Sequence, residues 1–289
     1  MKSLTLPAYA KINLFLDVIS KRDDGYHNIE SVMQSISLFD EVCVEIEEID
    51  GLEINQKFEN SDLPCDNTNL CYKAAKAYVD YFELTNLKIN IKVNKQIPCQ
   101  AGLAGGSADA AAVIRALDEL LDKHSCADIL VKIGMTVGSD VGFCVIGGTC
   151  AVEGRGENIT PLHPLKKYWL VVAKSDSENV STAVAYSRID TLKRESYPTI
   201  SFADYVKAVN NRKCDIIENG LYNLFSDVMS DQLHETYTII DIMKKNGSLG
   251  AQMSGSGPSV FGLFDSYEGA TAVYKLLSDK CFASVCETV

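Results

Sequence analysis

The sequence predicts an α+β fold in two parts, and three observations carry that expectation. Up to Pro98, apolar and polar residues alternate with a period of two over several runs, as half-buried strands require. A turn of small residues from Pro98 to Asp109 then runs directly into apolar positions at helical spacing. Beyond Pro161 and Pro164 the style changes to short apolar strands separated by helical segments, the pattern of an antiparallel sheet backed by helices.

From Tyr9, residues Ile12, Leu14, Leu16 and Val18 point one way and Lys11, Asn13, Phe15 and Asp17 the other, which places Lys11 and Asn13 on one strand face. Lys21 to His27 reads as a charged hairpin turn around Asp24-Gly25. Separate strands are expected over Ser31–Phe39, Glu41–Ile49 and Leu52–Asn55. Asp66-Asn67-Thr68-Asn69 is turn chemistry that caps a helix over Leu70–Phe82, and Leu87 to Val93 alternates as another strand. The helix after the glycine turn buries Ala110, Val113, Ile114, Leu117, Leu120 and Leu121. A second helix, Ala127–Val137, closes at Gly138, and a loop through Phe143 leads to a hairpin across Gly147-Gly148. In the second part a strand at Tyr168–Ala173 precedes helices near Val180–Arg188, Ser201–Val209, Cys214–Met229 and Asp231–Lys245. Strands Leu249–Ser254 and Ser259–Phe264, a helix near Tyr267–Leu277 and a strand near Phe282–Glu287 complete the chain. A boundary at 160/161 divides it into two domains, 1–160 and 161–289.

Composition narrows the function classes. The 289 residues are 46% hydrophobic and 23% charged, as in soluble globular proteins. A net charge of −12 argues against nucleic acid or an anionic membrane as partner, since both are bound by basic patches. It leaves room for a small phosphorylated ligand held by local positive charge. The ten cysteines never form C-x-x-C, and Cys43, Cys144 and Cys150 fall in apolar strands, as buried reduced thiols do. Neither a signal peptide nor a run of eighteen apolar residues is present, so a cytoplasmic protein is expected.

Gly102, Gly105 and Gly106 remove the β-carbons that would hold a ligand off the backbone, and the first helical turn after them leaves N–H groups without partners. Such a turn suits phosphate. It fits neither the Walker A loop, because Ser107-Ala108 stands where Lys and Ser or Thr are required, nor the dinucleotide fingerprint, because Gln100 occupies its first glycine position. A cation for the phosphate must therefore come from elsewhere in the chain. Alone, Lys11 reads as a solvent-face strand residue and Ser139-Asp140 as a cap or Asx-turn. Together they offer the cation and the proton-accepting carboxylate that phosphoryl transfer needs. Tyr26-His27 suits a flat heterocycle, although a half-buried ring beside an exposed imidazole is as ordinary. Gly255-Ser256-Gly257 forms either a hairpin tip or an anion nest. His124, His163 and His234 lack partners at metal-ligand spacing and are read as surface residues.

Pro98–Ala112, Ala8–Leu14 and Met253–Phe261 resemble the three motifs of the GHMP small-molecule kinases, the group of galactokinase, homoserine kinase and mevalonate kinase. Lys21 to His27, Gly138 to Val141 and Gly147 to Glu157 are similar to the branch whose acceptor carries a cytidine diphosphate. The resemblance implies an N-terminal ribosomal-protein-S5-domain-2-like domain and a C-terminal ferredoxin-like α/β domain. It implies transfer from ATP, with Mg²⁺, to the 2-hydroxyl of a cytidylylated methylerythritol in the non-mevalonate route to isoprenoids. Other readings are a mevalonate- or homoserine-type kinase and a silent nucleotide-binding homologue. By motif, Asp140 is the general base and Lys11 its partner, and Asn13, Gly255 and Ser256 lie by the substrate. The resemblance also implies that Tyr26 and Tyr186 stack on the cytosine and that His27 hydrogen-bonds it. It further implies that Asn69, Leu70 and Lys95 line the adenine pocket, and that Pro98, Gly102, Leu103, Ala104, Gly105, Gly106, Ser107 and Asp109 belong to the nucleotide loop. Gln100, Asp109 and Gly142 depart from the expected pattern. A monomer or weak homodimer is the expected assembly.

Overall fold

The computed structural model describes residues 1–192 and 197–289. The fold is α+β, and the chain forms two compact units whose segments interleave. Unit 1 comprises Met1–Ala10, Leu38–Cys99 and Ala104–Gly147, and unit 2 comprises Lys11–Ser37, Gln100–Leu103 and Gly148–Val289. Two long strands, β1 (Lys2–Lys21) and β2 (His27–Glu47), each contribute residues to both units.

In unit 1, strands β3 (Leu52–Glu59) and β4 (Leu87–Asn94) run parallel, with helix α1 (Leu70–Tyr81) as the connection that a parallel pair needs. The far half of β2 pairs antiparallel with β4, from Glu41 opposite Asn94 to Glu47 opposite Lys88. Val42, Val44 and Ile46 share one core with Ile89, Ile91 and Val93. Against it pack α1, α2 (Gly105–Leu120), α3 (Ala127–Val137) and α4 (Val141–Ile146). Asn69 caps α1 by accepting from the Cys71 N–H at 2.9 Å, as its turn chemistry predicts.

Unit 2 holds the hairpin β5 (Thr149–Gly154) and β6 (Asn158–Pro161), with β5 antiparallel to the near half of β2. Its second sheet has the order β11-β7-β10-β9, all antiparallel. These strands are β7 (Trp169–Lys174), β9 (Gly250–Met253), β10 (Val260–Phe264) and β11 (Phe282–Glu287). The helices of this unit are α5 (Thr182–Thr191), α6 (Phe202–Asn210), α7 (Cys214–Asn219), α8 (Leu224–Met229), α9 (His234–Lys245) and α10 (Tyr267–Leu277). A two-residue strand, β8 (Tyr222–Asn223), lies parallel to β1.

Four local expectations are corrected. The strands expected on either side of Asp40 are one strand, because both faces stay buried through that residue. Cys214–Met229 is two helices rather than one. A β-carbon at Gly220 would lie 2.6 Å from the Ile216 carbonyl oxygen, and Asn223 restarts the helix by capping Phe225. Val141–Ile146 is helical where a loop is expected, so Gly147, at φ 73°, ends a helix, and the hairpin falls across Arg155-Gly156-Glu157. Cys43 and Cys144 are half-buried; Cys71, Cys150 and Cys286 are the buried thiols, and burial pushes Cys150 up to about 11.

The least ordinary feature of the unit 1 core is a buried cluster of Asp40, Lys95 and Asp109. Lys95 Nζ bonds Asp40 Oδ2 and lies 2.6 Å from Asp109 Oδ2. Asp40 Oδ1 accepts the N–H groups of Gln96 at 2.5 Å and Ile97 at 2.8 Å, whereas Asp109 Oδ1 is buried without a hydrogen-bond partner. Two carboxylates share one ammonium. Burial pushes the Asp109 carboxyl up to about 7 against the pull of Lys95, and the nearby Asp40 charge adds to the rise. A carboxyl whose folded pKa exceeds its ordinary 3.8 keeps its proton longer in the folded state, so its contribution to stability falls as pH rises from about 4 to about 7. The urea midpoint of the parent protein is expected to lose more than that of Asp109→Asn between pH 4.5 and 7. Parallel slopes would mean that Asp109 does not titrate in this window. Lys95→Met leaves two buried carboxylates with no cation and is expected to lose about 3–5 kcal/mol at pH 8, read by urea denaturation.

Candidate active site

Strand β1 is buried on both faces over Ala10–Val18, so Lys11 (3% exposed) and Asn13 (1%) are interior residues rather than solvent-face ones. Their spacing of two places both side chains on one side. Lys11 Nζ donates to Asn13 Oδ1 at 2.7 Å, and Asn13 Nδ2 donates to Ser31 Oγ at 2.9 Å. The same Asn13 Oδ1 accepts the N–H of Gly255 at 3.0 Å, so one amide ties the first motif to the third.

The glycine loop enters this arrangement through Gln100–Leu103. The Lys11 N–H donates to the Leu103 carbonyl at 3.0 Å, and Ser254 Oγ donates to the Gly102 carbonyl at 3.0 Å. Gly102 lies at φ +73°, and a β-carbon there would stand 2.1 Å from the Ser254 carbonyl oxygen, so no other residue fits. Asn223 Nδ2 holds the Gly255 turn by donating to the Met253 and Gly255 carbonyls, each at 2.8 Å, and Ser256 Oγ lies 3.0 Å from Thr182 Oγ1.

A second group of unit 2 side chains surrounds Tyr26-His27. Tyr26 is half exposed, with the Arg155 guanidinium 4.9 Å from its ring centre. His27 is buried and stacks on Tyr186, with ring centres 4.7 Å apart and planes at 25°. Phe225 meets Tyr186 edge-on at 4.9 Å. Tyr186 thus lies against the His27 ring.

In unit 1, Ala104, Gly105, Gly106 and Ser107 form the start of α2. Ala104 occupies its N-cap at φ 57° with no side-chain cap, and no acidic residue other than the inward-turned Asp109 lies near the first turn. The N–H groups of Gly105, Gly106 and Ser107 open the helix, where backbone donors and the helix dipole favour an anion. A β-carbon on Gly106 would touch Leu70 at 3.4 Å, which brings the starts of α1 and α2 together. Lys95 is buried, and its ammonium is taken by Asp40 and Asp109. Pro98 is half-buried in the approach to the loop. Gln100 accommodates its bulk by pointing outward at φ 50°. Asp140 is half-buried at the N-cap of α4 without a side-chain capping bond, so the cap reading of its carboxylate does not hold. Gly142 is buried inside α4. His124, His163 and His234 are exposed.

Sequence reasoning missed the partners. Asp40, Ser31, Asn223 and Asp190 each hold a predicted site residue, yet none lies within a recognisable motif. Asp190 alone left a trace, four residues after Tyr186 and hence on the same helical face.

Two family models match this chain. "GHMP kinases N terminal domain" matches residues 69–148 and "GHMP kinases C terminal" matches 213–282. A 4-diphosphocytidyl-2-C-methyl-D-erythritol kinase of Clostridium tetani is 39% identical over 277 residues, covering 96% of each chain. The enzyme of the same name from Clostridium acetobutylicum is 38% identical, covering 92% of this chain and 93% of its own. A crystal structure of 4-(cytidine 5'-diphospho)-2C-methyl-D-erythritol kinase superposes with a TM-score of 0.79 at 27% identity over 99% of each chain. Matching over nearly its whole length, with the first and third motifs joined through Asn13, the chain belongs to the GHMP kinase family.

Proposed function

We propose that this chain transfers the γ-phosphoryl group of ATP to the 2-hydroxyl of 4-diphosphocytidyl-2-C-methyl-D-erythritol, in the non-mevalonate route to isoprenoid precursors. Near-full-length relatedness to enzymes of that name supports the substrate. The observation that carries the chemistry is the buried Lys11–Asn13–Gly255 arrangement beside Gly102, which sets a cation against backbone donors without a Walker lysine. Residues 1–160 and 161–289 are assigned as the N- and C-terminal GHMP domains, a division in keeping with the two family-model spans.

In this mechanism the N–H groups at the start of α2 hold the phosphates, and Asn69, Leu70 and Lys95 border the adenine. Lys11 supplies the cation of the reaction centre. Asp140 takes the proton of the acceptor hydroxyl as its oxygen bonds to the γ-phosphorus. The bond from that phosphorus to the bridging oxygen breaks, and ADP leaves with the electron pair. Asn13 and the Gly255-Ser256 turn orient the acceptor, and Tyr26, His27 and Tyr186 hold its base.

Mg²⁺ is proposed to arrive with ATP, coordinated by phosphate and water. The described residues offer no preformed cage of side chains for such an ion. No group of three or more His, Cys, Asp or Glu side chains among them is disposed to hold a metal, and the unpartnered Asp109 oxygen belongs to a carboxylate already bonded to the Lys95 ammonium.

Asp140→Asn is expected to lower kcat by about 10²–10⁴-fold, the usual worth of a general base, while ATP still binds by isothermal titration. Normal turnover would remove Asp140 from the role. Tyr26→Ala is expected to raise KM for the cytidylyl substrate by roughly 3–10-fold with little change for ATP, the scale of one aromatic stack. Equal changes in both KM values would place Tyr26 outside the base site.

A further inference from the structure

His27 has a neighbour to which the site described so far gives no task. Its Nε2 lies 2.7 Å from Asp190 Oδ1, and the second oxygen of Asp190 is 2.5 Å from Lys21 Nζ. Asp190 follows Tyr186 by one turn of α5, so a single helix face supplies both the ring that stacks on His27 and the carboxylate that meets its edge. Hydrogen bonds from Lys21 and then His27 hold the Asp190 carboxyl below its ordinary range, so at neutral pH it is an ionised group that only accepts. In a neutral His27 the proton therefore resides on Nε2. Nδ1, which has no protein partner among the described residues, is left as a bare acceptor.

We propose that Asp190, resting on the cytidylyl-substrate reading above, is a specificity-determining positioning residue: it fixes the His27 tautomer so that the ring accepts from the exocyclic amino group of cytosine and rejects a base with a carbonyl there. Cytosine offers an N–H₂ donor at its ring position 4, whereas uracil offers an oxygen. Two acceptors facing each other leave both without partners, and that mismatch gives the site its discrimination. The stack on Tyr186, itself braced by the buried Phe225, holds the plane of the imidazole, and the Nε2–Asp190 bond sets which edge faces the base. Lys21 holds the carboxylate from its far side.

The experiment compares kcat/KM for the cytidylyl substrate and its uridylyl counterpart in the full chain at pH 8. Asp190→Asn keeps the shape but offers His27 a donor as well as an acceptor, which frees the tautomer. The cytidine-to-uridine ratio is expected to fall by roughly 10-fold or more, through KM, with kcat on the cytidylyl substrate and KM for ATP nearly unchanged. Asp190→Glu is expected to restore part of the ratio. An equal loss on both substrates would overturn the proposal and leave Asp190 a structural brace. Nitrogen-15 NMR of His27 in the unliganded parent protein supplies a readout independent of any variant. A protonated Nε2 is expected, and a protonated Nδ1 would overturn the assignment. Failure of the parent protein to turn over the cytidylyl compound would instead count against the substrate reading, which the tautomer measurement does not touch.

Discussion

The organisation of unit 2 depends on the side chain of Asn13. A buried amide must find partners for its oxygen and its nitrogen, since each left unmade costs about 1–3 kcal/mol. Asn13 finds them on three separate stretches of chain: the Lys11 ammonium, the Gly255 N–H and the Ser31 hydroxyl. Ser31 Oγ in turn donates to the Phe15 carbonyl at 2.7 Å, so the amide is braced by its own strand and by β2. Aspartate would fill the same space with a charge and no donor for Ser31, and leucine would strand the ammonium and the Gly255 N–H. The position of Lys11 is thus set by the polar satisfaction of a neighbour as much as by its own strand.

Unit 1 handles buried charge differently. Its cation, Lys95, is spent on two carboxylates, one of which lies in the helix that follows the glycine loop. Burial pulls the Lys95 ammonium down, but the charges of Asp109 and Asp40 outweigh it and leave its pKa raised. The cluster joins β2, the end of β4 and the second turn of α2, and so fixes where the helix begins. Lys95 cannot also serve as a mobile phosphate cation.

Periodicity revealed the strands and most helices because it reports which face of an element is buried. Val42 to Ile46 and Leu87 to Val93 alternate as the register of β2 and β4 requires. The ends of α1 and α3 were legible from Asn69 and Gly138, whose chemistry is local. The six-residue α4 escaped because less than two turns shows no period, and β8 because two residues carry no pattern. Lys11, Asp140 and Tyr26-His27 stood out through motif and missing charge. Their partners did not, because hydrogen bonds such as Asn223 to Gly255 and Asp190 to His27 join residues 32 and 163 positions apart.

The uncharged glycine loop follows from the same division of labour. A Walker-type lysine serves as cation inside its own loop, whereas here Gln100–Leu103 is held to Lys11 and Ser254 by main-chain carbonyls. Those bonds demand close backbone approach, and the 2.1 Å gap that a β-carbon on Gly102 would leave to Ser254 shows how little space remains. A long cationic side chain at that point would have to displace the third motif. Ala104, with no side-chain acceptor, likewise leaves the opening N–H groups of α2 uncapped by its own residue. Tight packing of small residues and the lack of a charged side chain are therefore two consequences of one constraint: Gly102 is pressed against the third motif, so the loop offers its backbone groups and no cation of its own.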